Sequence, residues 1–266
     1  MKFTLDKLLE IAIRTSINAG KEILQVYSSE FSVEKKEDNS PLTFADKKSH
    51  EIIFISLSET QIPILSEEGK EIPFAERKKW NLLWIVDPLD GTKEFVKRNG
   101  EFTVNIALVE NGKPVLGVIY SPVKKDLYFS SKNIGAYKFS DFTFKYANLD
   151  QLISKSEKLP IRTSREKFTI VSSRSHMTDE TINFITALKT EHGEVEIISA
   201  GSSLKICLVA EGAADVYPRF GPTMEWDTAA GQAIAECAGK KIIDIQKKLP
   251  MTYNKESLLN SSFIVE

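Results

Sequence analysis

The segment WIVDPLDGTKEF (84–95) concentrates more potential chemistry than its neighbours. An apolar run reaches Asp87, Pro88 and Gly91 impose a turn, and a helix-like piece begins near Thr92. Asp87 and Asp90 can converge from such a turn on one point beyond the strand end. Two carboxylates that close repel each other unless a cation neutralises them or one takes a proton. Hard oxygen ligands suit Mg²⁺, which keeps water and shares its coordination shell with phosphate. The amides of Gly91 and Thr92, at a helix start, would stabilise an anion beside that cation. Taken alone, the same residues also make an ordinary surface turn, because Asp, Pro and Gly are favoured there for local reasons.

Two further acidic segments tip the balance toward a site. ILSEEG (64–69) puts Glu67 and Glu68 just past the end of another apolar run. EWDTAAG (225–231) puts Asp227 at the start of a small-residue helix, where the competing reading is an N-cap. Three acid-bearing element ends fit a site at the carboxyl edge of a sheet. Donors for an anionic ligand occur in GSSLK (Ser202, Ser203, Lys205), in YPRFG (Arg219) and in Ser173-Arg174-Ser175-His176. Arg219 could grip a phosphate through two parallel N–H bonds, a geometry Lys lacks. By spacing alone Lys205 also reads as a solvated helix face and Arg219 as part of a surface loop. Trp84 and Trp226 flank the acidic motifs and are expected to pack the floor of the site, while His50 and His192 read as surface or helix residues. No nucleophilic Cys or Ser motif is visible.

The elements that must carry these residues follow from periodicity. Leu5, Leu8, Leu9, Ala12, Ser16, Ala19, Ile23 and Leu24 fall on one stripe of an opening helix. A second helix is predicted over Thr43–Ser58, with Ile53 and Leu57 inward. IPIL (62–65) and LLWIV (82–86) read as buried strands. FTVNIALVENGKPVLGVIYSPV (102–123) reads as a hairpin turning at Asn111-Gly112, because both residues tolerate the positive φ of a tight turn. Another strand pair is predicted over Asp126–Phe139. In the second half, strands at 168–173, 194–199, 214–219 and 241–245 alternate with helices at 178–191, 202–211 and 227–238. That rhythm implies a layered α/β half behind a more antiparallel α+β half. The polar stretch Asp141–Lys167 reads as a variable connection.

Composition narrows the function classes. The 266 residues carry 35 Lys+Arg against 37 Asp+Glu, a net charge of −2, so no broad basic field for nucleic acid exists. No apolar stretch approaches the roughly 20 residues of a membrane span. The start MKFTLDKLLE lacks the apolar core of a secretory signal. Cys207 and Cys237 lie in helical patterns and read as buried, reduced thiols. A cytoplasmic protein is expected, with peripheral attachment to the cytoplasmic side of the inner membrane left open, and a monomer is favoured. The length fits two halves sharing one cleft: 1–140, α+β, with most of the candidate metal-binding acids, and 141–266, α/β, with the candidate substrate-binding donors.

In order along the chain, SPLTFADKKSHEII, PILSEEG, WIVDPLDGTKEF and WDTAAG resemble the Mg²⁺-dependent, lithium-sensitive phosphatases of the inositol monophosphatase superfamily. The runs at 87–123 and 201–231 resemble its bacterial 3′(2′),5′-bisphosphate nucleotidase branch most. Inositol monophosphatases usually follow Asp-Gly-Thr with Thr-Asn-Phe, whereas this chain has Lys93-Glu94-Phe95. The resemblance spans nearly the whole chain except about 141–167 and the last few residues. It implies an α/β (α+β) fold of layered αβαβα, sugar-phosphatase-like architecture.

Residue by residue, the resemblance implies that Glu67, Asp87 and the Leu89 carbonyl hold one Mg²⁺. Asp87, Asp90 and Asp227 would hold a second, with Glu67 able to help a third, looser ion. Thr92, paired with Asp46, would orient and deprotonate the attacking water; without the resemblance Asp46 reads as an unremarkable helix-start acid. Glu68 ranks second to Glu67. Amides of Gly91, Thr92 and Thr228 would add donors to the phosphate, and Ser203, Lys205 and Arg219 would contact the substrate. The implied reaction is hydrolysis of adenosine 3′,5′-bisphosphate to AMP and phosphate, in line and without a phosphoenzyme, removing a by-product of sulfate activation. Its 3′-phosphosulfate analogue is a second candidate substrate. The rival readings are an inositol or fructose phosphate phosphatase using the same metals, and a non-catalytic metal- or nucleotide-binding regulator.

Overall fold

The computed structural model describes residues 3–28, 41–140, 146–161, 166–173 and 178–266. Helices α1 (Leu5–Ser28) and α2 (Pro41–Ser58) precede β1 (Ile64–Ser66), the short α3 (Phe74–Arg77), β2 (Leu82–Asp90) and the five-residue α4 (Thr92–Val96). Strands β3 (Thr103–Glu110), β4 (Lys113–Ser121), β5 (Asp126–Ser131) and β6 (Gly135–Phe139) form a meander, followed by α5 (Leu149–Ser154) and β7 (Glu157–Lys158). The second half runs β8 (Phe168–Ser172), α6 (Asp179–His192), β9 (Val195–Ser199), α7 (Leu204–Ala210), β10 (Tyr217–Arg219) and α8 (Glu225–Cys237). It ends in β11 (Ile242–Asp244), β12 (Leu249–Pro250) and β13 (Phe263–Val265).

Strands β1 to β7 make one sheet in sequential order, antiparallel except for the β1–β2 pair. Alternation assigns its two faces. Trp84, Val86, Val104, Ile106 and Val118 pack with the Leu8, Leu9, Ala12 and Ile53 faces of α1 and α2. Leu83, Ile85, Ala107 and Ile119 face the opposite way and pack with Ala229, Ala230 and Ile234 of α8 and with Ile206 of α7. Behind α7 and α8 lie the second-half strands, and α6 closes the outer side through Ile185 against Ile170 and Val216. The order is therefore αβαβα, as expected.

The small residues of α8 have a steric reason. A Cβ built on Gly117 of β4 would lie 2.4 Å from the Ala230 carbonyl oxygen and 2.8 Å from Ala233 Cβ. Helix and strand backbones thus touch with nothing larger than a hydrogen or methyl between them. The hairpin is realised as predicted, with Asn111 at φ 51° and Gly112 at φ 75°.

Three expectations need correction. The second half is less parallel than its β/α rhythm implied: β10-β13-β11-β12 pair antiparallel, and among the described residues parallel pairing there is confined to β8–β9 and an Ile170–Val216 bridge. Within 141–167, α5 and β7 are built into the fold through Leu149, Leu152 and Leu159, all buried; 141–145 and 162–165 lie outside the described residues. Cys207 is buried and free, but Cys237, near the end of α8, is only half-buried. Among the described residues, no helix is long and apolar enough to cross a membrane.

Candidate active site

The site begins with an irregularity in β2. Asp87 pairs with Asn105 and Asp90 with Thr103, so three steps along β2 match two along β3. Pro88 has no N–H to give the ladder, and an extra residue bulges out. In a regular strand, positions i and i+3 point to opposite faces; the bulge returns Asp87 and Asp90 to the same one. The strand therefore continues to Asp90 rather than ending at Asp87, and the sharp turn falls at Gly91, whose φ is 98°.

Each acid of the cluster is anchored by one oxygen. Asp87 Oδ1 accepts the Leu89 N–H at 3.0 Å. Asp90 Oδ2 accepts the Ser203 N–H (2.7 Å), the Ser203 hydroxyl (2.6 Å) and Asn105 Nδ2 (3.3 Å). Asp227 Oδ2 accepts the Met224 N–H at 2.8 Å. Asp227 is thus the third residue of α8, reaching back to the cap, and not the N-cap itself. Carboxylate oxygens of Asp87, Asp90 and Asp227 lie within 4.8 Å of one another.

Electrostatics show what this crowding costs. Burial, then the charges of Asp90, Glu67 and Asp227, push the Asp87 carboxyl well above the usual carboxylate range. Burial and the Asp90 charge lift Asp227 to about 7. Glu67, just past β1, is raised by loss of solvent and by the charges of Asp90 and Glu68, and shares a hydrogen bond with Asp87. Burial, then Glu68 and Glu67, lift Asp46 to about 8; its Oδ1 is buried without a hydrogen-bond partner. A hard divalent cation answers all of these at once, and an all-oxygen donor set with an unsatisfied buried oxygen nearby fits Mg²⁺.

A pH dependence follows. In metal-free protein these acids hold protons that the unfolded chain releases near its ordinary values, so the folded state binds more protons between about pH 4 and 8. Stability of chelator-treated protein should therefore fall as pH rises through that window. Mg²⁺ should raise the melting temperature more at pH 8 than at pH 6. Thermal unfolding followed by circular dichroism reads both; equal Mg²⁺ effects at the two pH values would contradict the account.

Helix α2 supports both acidic turns. Asp46 lies in its second turn, buried, rather than at a solvated helix start, and its side chain bonds to Glu68. The Asp46–Thr92 pair is not closed through Asp46 Oδ1. His50 Nδ1 meets the Ser66 hydroxyl at 3.0 Å, at the turn that Gly69 N–H closes onto the Ser66 carbonyl. Behind α8, Glu225 is fully buried and accepts from Asn254 N–H, Lys255 N–H and Lys255 Nζ, which fixes the start of the helix that carries Asp227.

A cleft of about 260 Å³ opens beside the acids, and Asp90, Thr92, Ser203, Lys205, Arg219 and Asp227 line it together with Gly91 and Thr228. Its floor differs from expectation. Trp84 is on the α1–α2 side of the sheet, where its indole N–H donates to Thr60, whereas Trp226, half-buried, lines a recess beside Glu67. Lys205 is no solvated helix residue: it is buried, its Nζ donates to the carbonyls of Ser202 (2.6 Å) and Ala200 (3.3 Å), and burial pushes its pKa down to about 8. Arg219 donates through Nη2 to the Pro222 carbonyl, and its Nε has no partner.

The Ser202 hydroxyl is turned to the carbonyls of Asp90 and Glu101, and the Ser203 hydroxyl to Asp90, the Asp227 carbonyl and Asn105. Ser203 therefore positions an acid as well as lining the cleft. Thr228 is the fourth residue of α8, and its hydroxyl bonds to Glu225, Tyr253 and Asn260. His192 closes α6 and stacks on Phe168 at 3.9 Å, away from the cleft lining. Arg174, Ser175 and His176 lie outside the described residues.

The inositol monophosphatase family model matches residues 4–265. The chain belongs to the inositol monophosphatase family. It is 45% identical over 262 residues to the 3′(2′),5′-bisphosphate nucleotidase CysQ of Salmonella typhimurium, covering 97% of this chain and 99% of that one. Among solved structures of this family, CysQ from Bacteroides thetaiotaomicron superposes with a TM-score of 0.95 at 57% identity, covering 98% of this chain and 97% of that one. The extragenic suppressor protein SuhB of Bartonella henselae superposes with a TM-score of 0.70 at 25% identity, covering 97% and 93%.

Asn105 and Thr103 are site residues that the sequence reading overlooked. Their signal was present: two polar side chains at alternating positions of an otherwise apolar strand, both fully or almost fully buried. Glu101 left no such mark, although its carboxylate accepts the Gly201 N–H and so ties the Ser202–Ser203 loop to the start of β3.

Proposed function

We propose that this chain is a Mg²⁺-dependent 3′(2′),5′-bisphosphate nucleotidase that hydrolyses adenosine 3′,5′-bisphosphate to AMP and phosphate. One observation carries the reading: the anchored acids Asp90 and Asp227 and the cations Lys205 and Arg219 line the same cleft. A substrate with one phosphate to be cleaved and another to be gripped needs both. Near full-length likeness to proteins named CysQ supports the nucleotide over other phosphate esters.

Glu67, Asp87 and the Leu89 carbonyl would hold one Mg²⁺, and Asp87, Asp90 and Asp227 a second, with Glu67 open to a looser third. When bound, Mg²⁺ supplies positive charge for the phosphate and lowers the pKa of the attacking water. Asp46 is the base within the acidic cluster, and the Thr92 hydroxyl, on the cleft wall, orients the water toward it. Gly91 and Thr92 present amides to the phosphate oxygens at the turn. In the hydrolysis a water oxygen bonds to phosphorus, the bond from phosphorus to the 3′-oxygen breaks, and the departing oxygen takes up a proton. Lys205 and Arg219 bind the 5′-phosphate at the far wall.

The halves 1–140 and 141–266 work as one unit, since Asp87 and Asp90 come from the first and Asp227 from the second. A monomer then suffices, acting in the cytoplasm where sulfate activation yields the substrate. Chelator-stripped protein should release no phosphate from adenosine 3′,5′-bisphosphate until Mg²⁺ is added, and Li⁺ should then inhibit. Absence of Mg²⁺-dependent release would refute the reading.

A further inference from the structure

The bulge in β2 leaves the Pro88–Leu89 peptide without ladder partners, between the paired residues Asp87 and Asp90. Its two polar atoms are nevertheless both held. The Leu89 N–H donates to Asp87 Oδ1 at 3.0 Å, and the Pro88 carbonyl accepts the hydroxyl of Ser49 at 2.7 Å. Ser49 is fully buried on α2, three residues after Asp46, so water cannot replace it. We propose that Ser49 is a positioning residue: by fixing this one peptide plane from the helix side, it sets the aim of the Asp87 carboxylate and of the Leu89 carbonyl that follows.

A buried carbonyl stripped of its partner seeks another donor, and a peptide freed at one end rotates most easily about its flanking bonds. Here rotation would carry the Leu89 N–H away from Asp87 Oδ1, releasing the carboxylate that this bond anchors beside Asp90 and Asp227. No other hydrogen bond to the Pro88 carbonyl forms among the described residues. Ser49 would never touch substrate; it acts through Asp87 and Leu89. The inference rests on the reading that these two hold Mg²⁺.

Calorimetric titration of metal-stripped, full-length protein with Mg²⁺ tests it without requiring turnover. Ser49→Ala removes one atom and favours helix, so the fold is kept. It should bind Mg²⁺ about tenfold more weakly, equivalent to about 1.4 kcal/mol. Ser49→Cys restores the volume with only a weak donor and should resemble Ala; at saturating Mg²⁺, the KM for adenosine 3′,5′-bisphosphate should be unchanged in both. Wild-type affinity in Ser49→Ala, or in Ser49→Cys alone, would overturn the proposal, the second result assigning the effect to packing. Wild-type protein that binds Mg²⁺ but cleaves no nucleotide would defeat the functional reading and leave the Ser49 comparison decisive.

Discussion

Replacing Asp90 by asparagine should leave a folded protein that releases phosphate about 10³-fold more slowly or worse, because it removes charge from the point where transition-state charge is met. The fold survives because Asn is nearly isosteric. The chemistry does not, for a reason visible in the bonding. Asp90 Oδ2 already serves four donors, the Ser203 N–H, the Ser203 hydroxyl, Asn105 Nδ2 and, at 3.5 Å, the Thr103 hydroxyl. Asparagine has a single oxygen, so it must either keep those donors and turn an NH₂ toward the cation, or face the cation and set NH₂ against N–H groups. Steady-state phosphate release, with circular dichroism to verify folding, reads the effect. Activity within tenfold of wild type would remove Asp90 from the metal site.

The second large effect concerns the far wall of the cleft. Arg219→Ala should raise the KM for adenosine 3′,5′-bisphosphate about 10²-fold with little change in kcat, the loss expected for a charge-assisted contact made equally in ground and transition states. Arg219 Nε is buried and unpartnered, and its Nη2 donates to a loop carbonyl that holds the guanidinium in place. Arg219→Lys should recover only part of the loss, since an ammonium cannot form the paired N–H bonds of a guanidinium. With 3′-AMP, which lacks the second phosphate, the Ala variant and wild type should have similar kcat/KM. An equal loss on both substrates would place Arg219 in the scaffold instead.

How much of this could be read from residue order depends on the kind of information required. Helices α1 and α2 and the Asn111-Gly112 hairpin came from period and turn chemistry, which are local properties. Asp87 and Asp90 drew notice through spacing, but the spacing alone misplaced the end of the strand. Only the register against Thr103 and Asn105 shows that an extra residue brings the two acids to one face. Asp227 is legible as a helix-start acid, but its place within the cap is not, since a neighbouring main-chain N–H decides that. Lys205 and Ser203 were legible as polar residues in a helix-start motif, and their partners were not. Ser203 meets Asp90 from 113 residues away, and Lys205 turns to the carbonyls of its own loop in a place that the fold buries. Ser49 left no trace at all, because a serine inside a helix looks the same whether or not a bulged peptide lies beneath it.

On the proposed function, the acids and the cationic wall together select a nucleotide carrying two phosphates. The most direct test of this selection is the ratio of kcat/KM for adenosine 3′,5′-bisphosphate to that for inositol 1-phosphate, measured on one preparation at saturating Mg²⁺. A ratio of about 10² or more in favour of the nucleotide is expected, the discrimination that arises when a site's buried polar groups are left unpaired by the wrong substrate. A ratio near one, or a preference for inositol 1-phosphate, would contradict that selection.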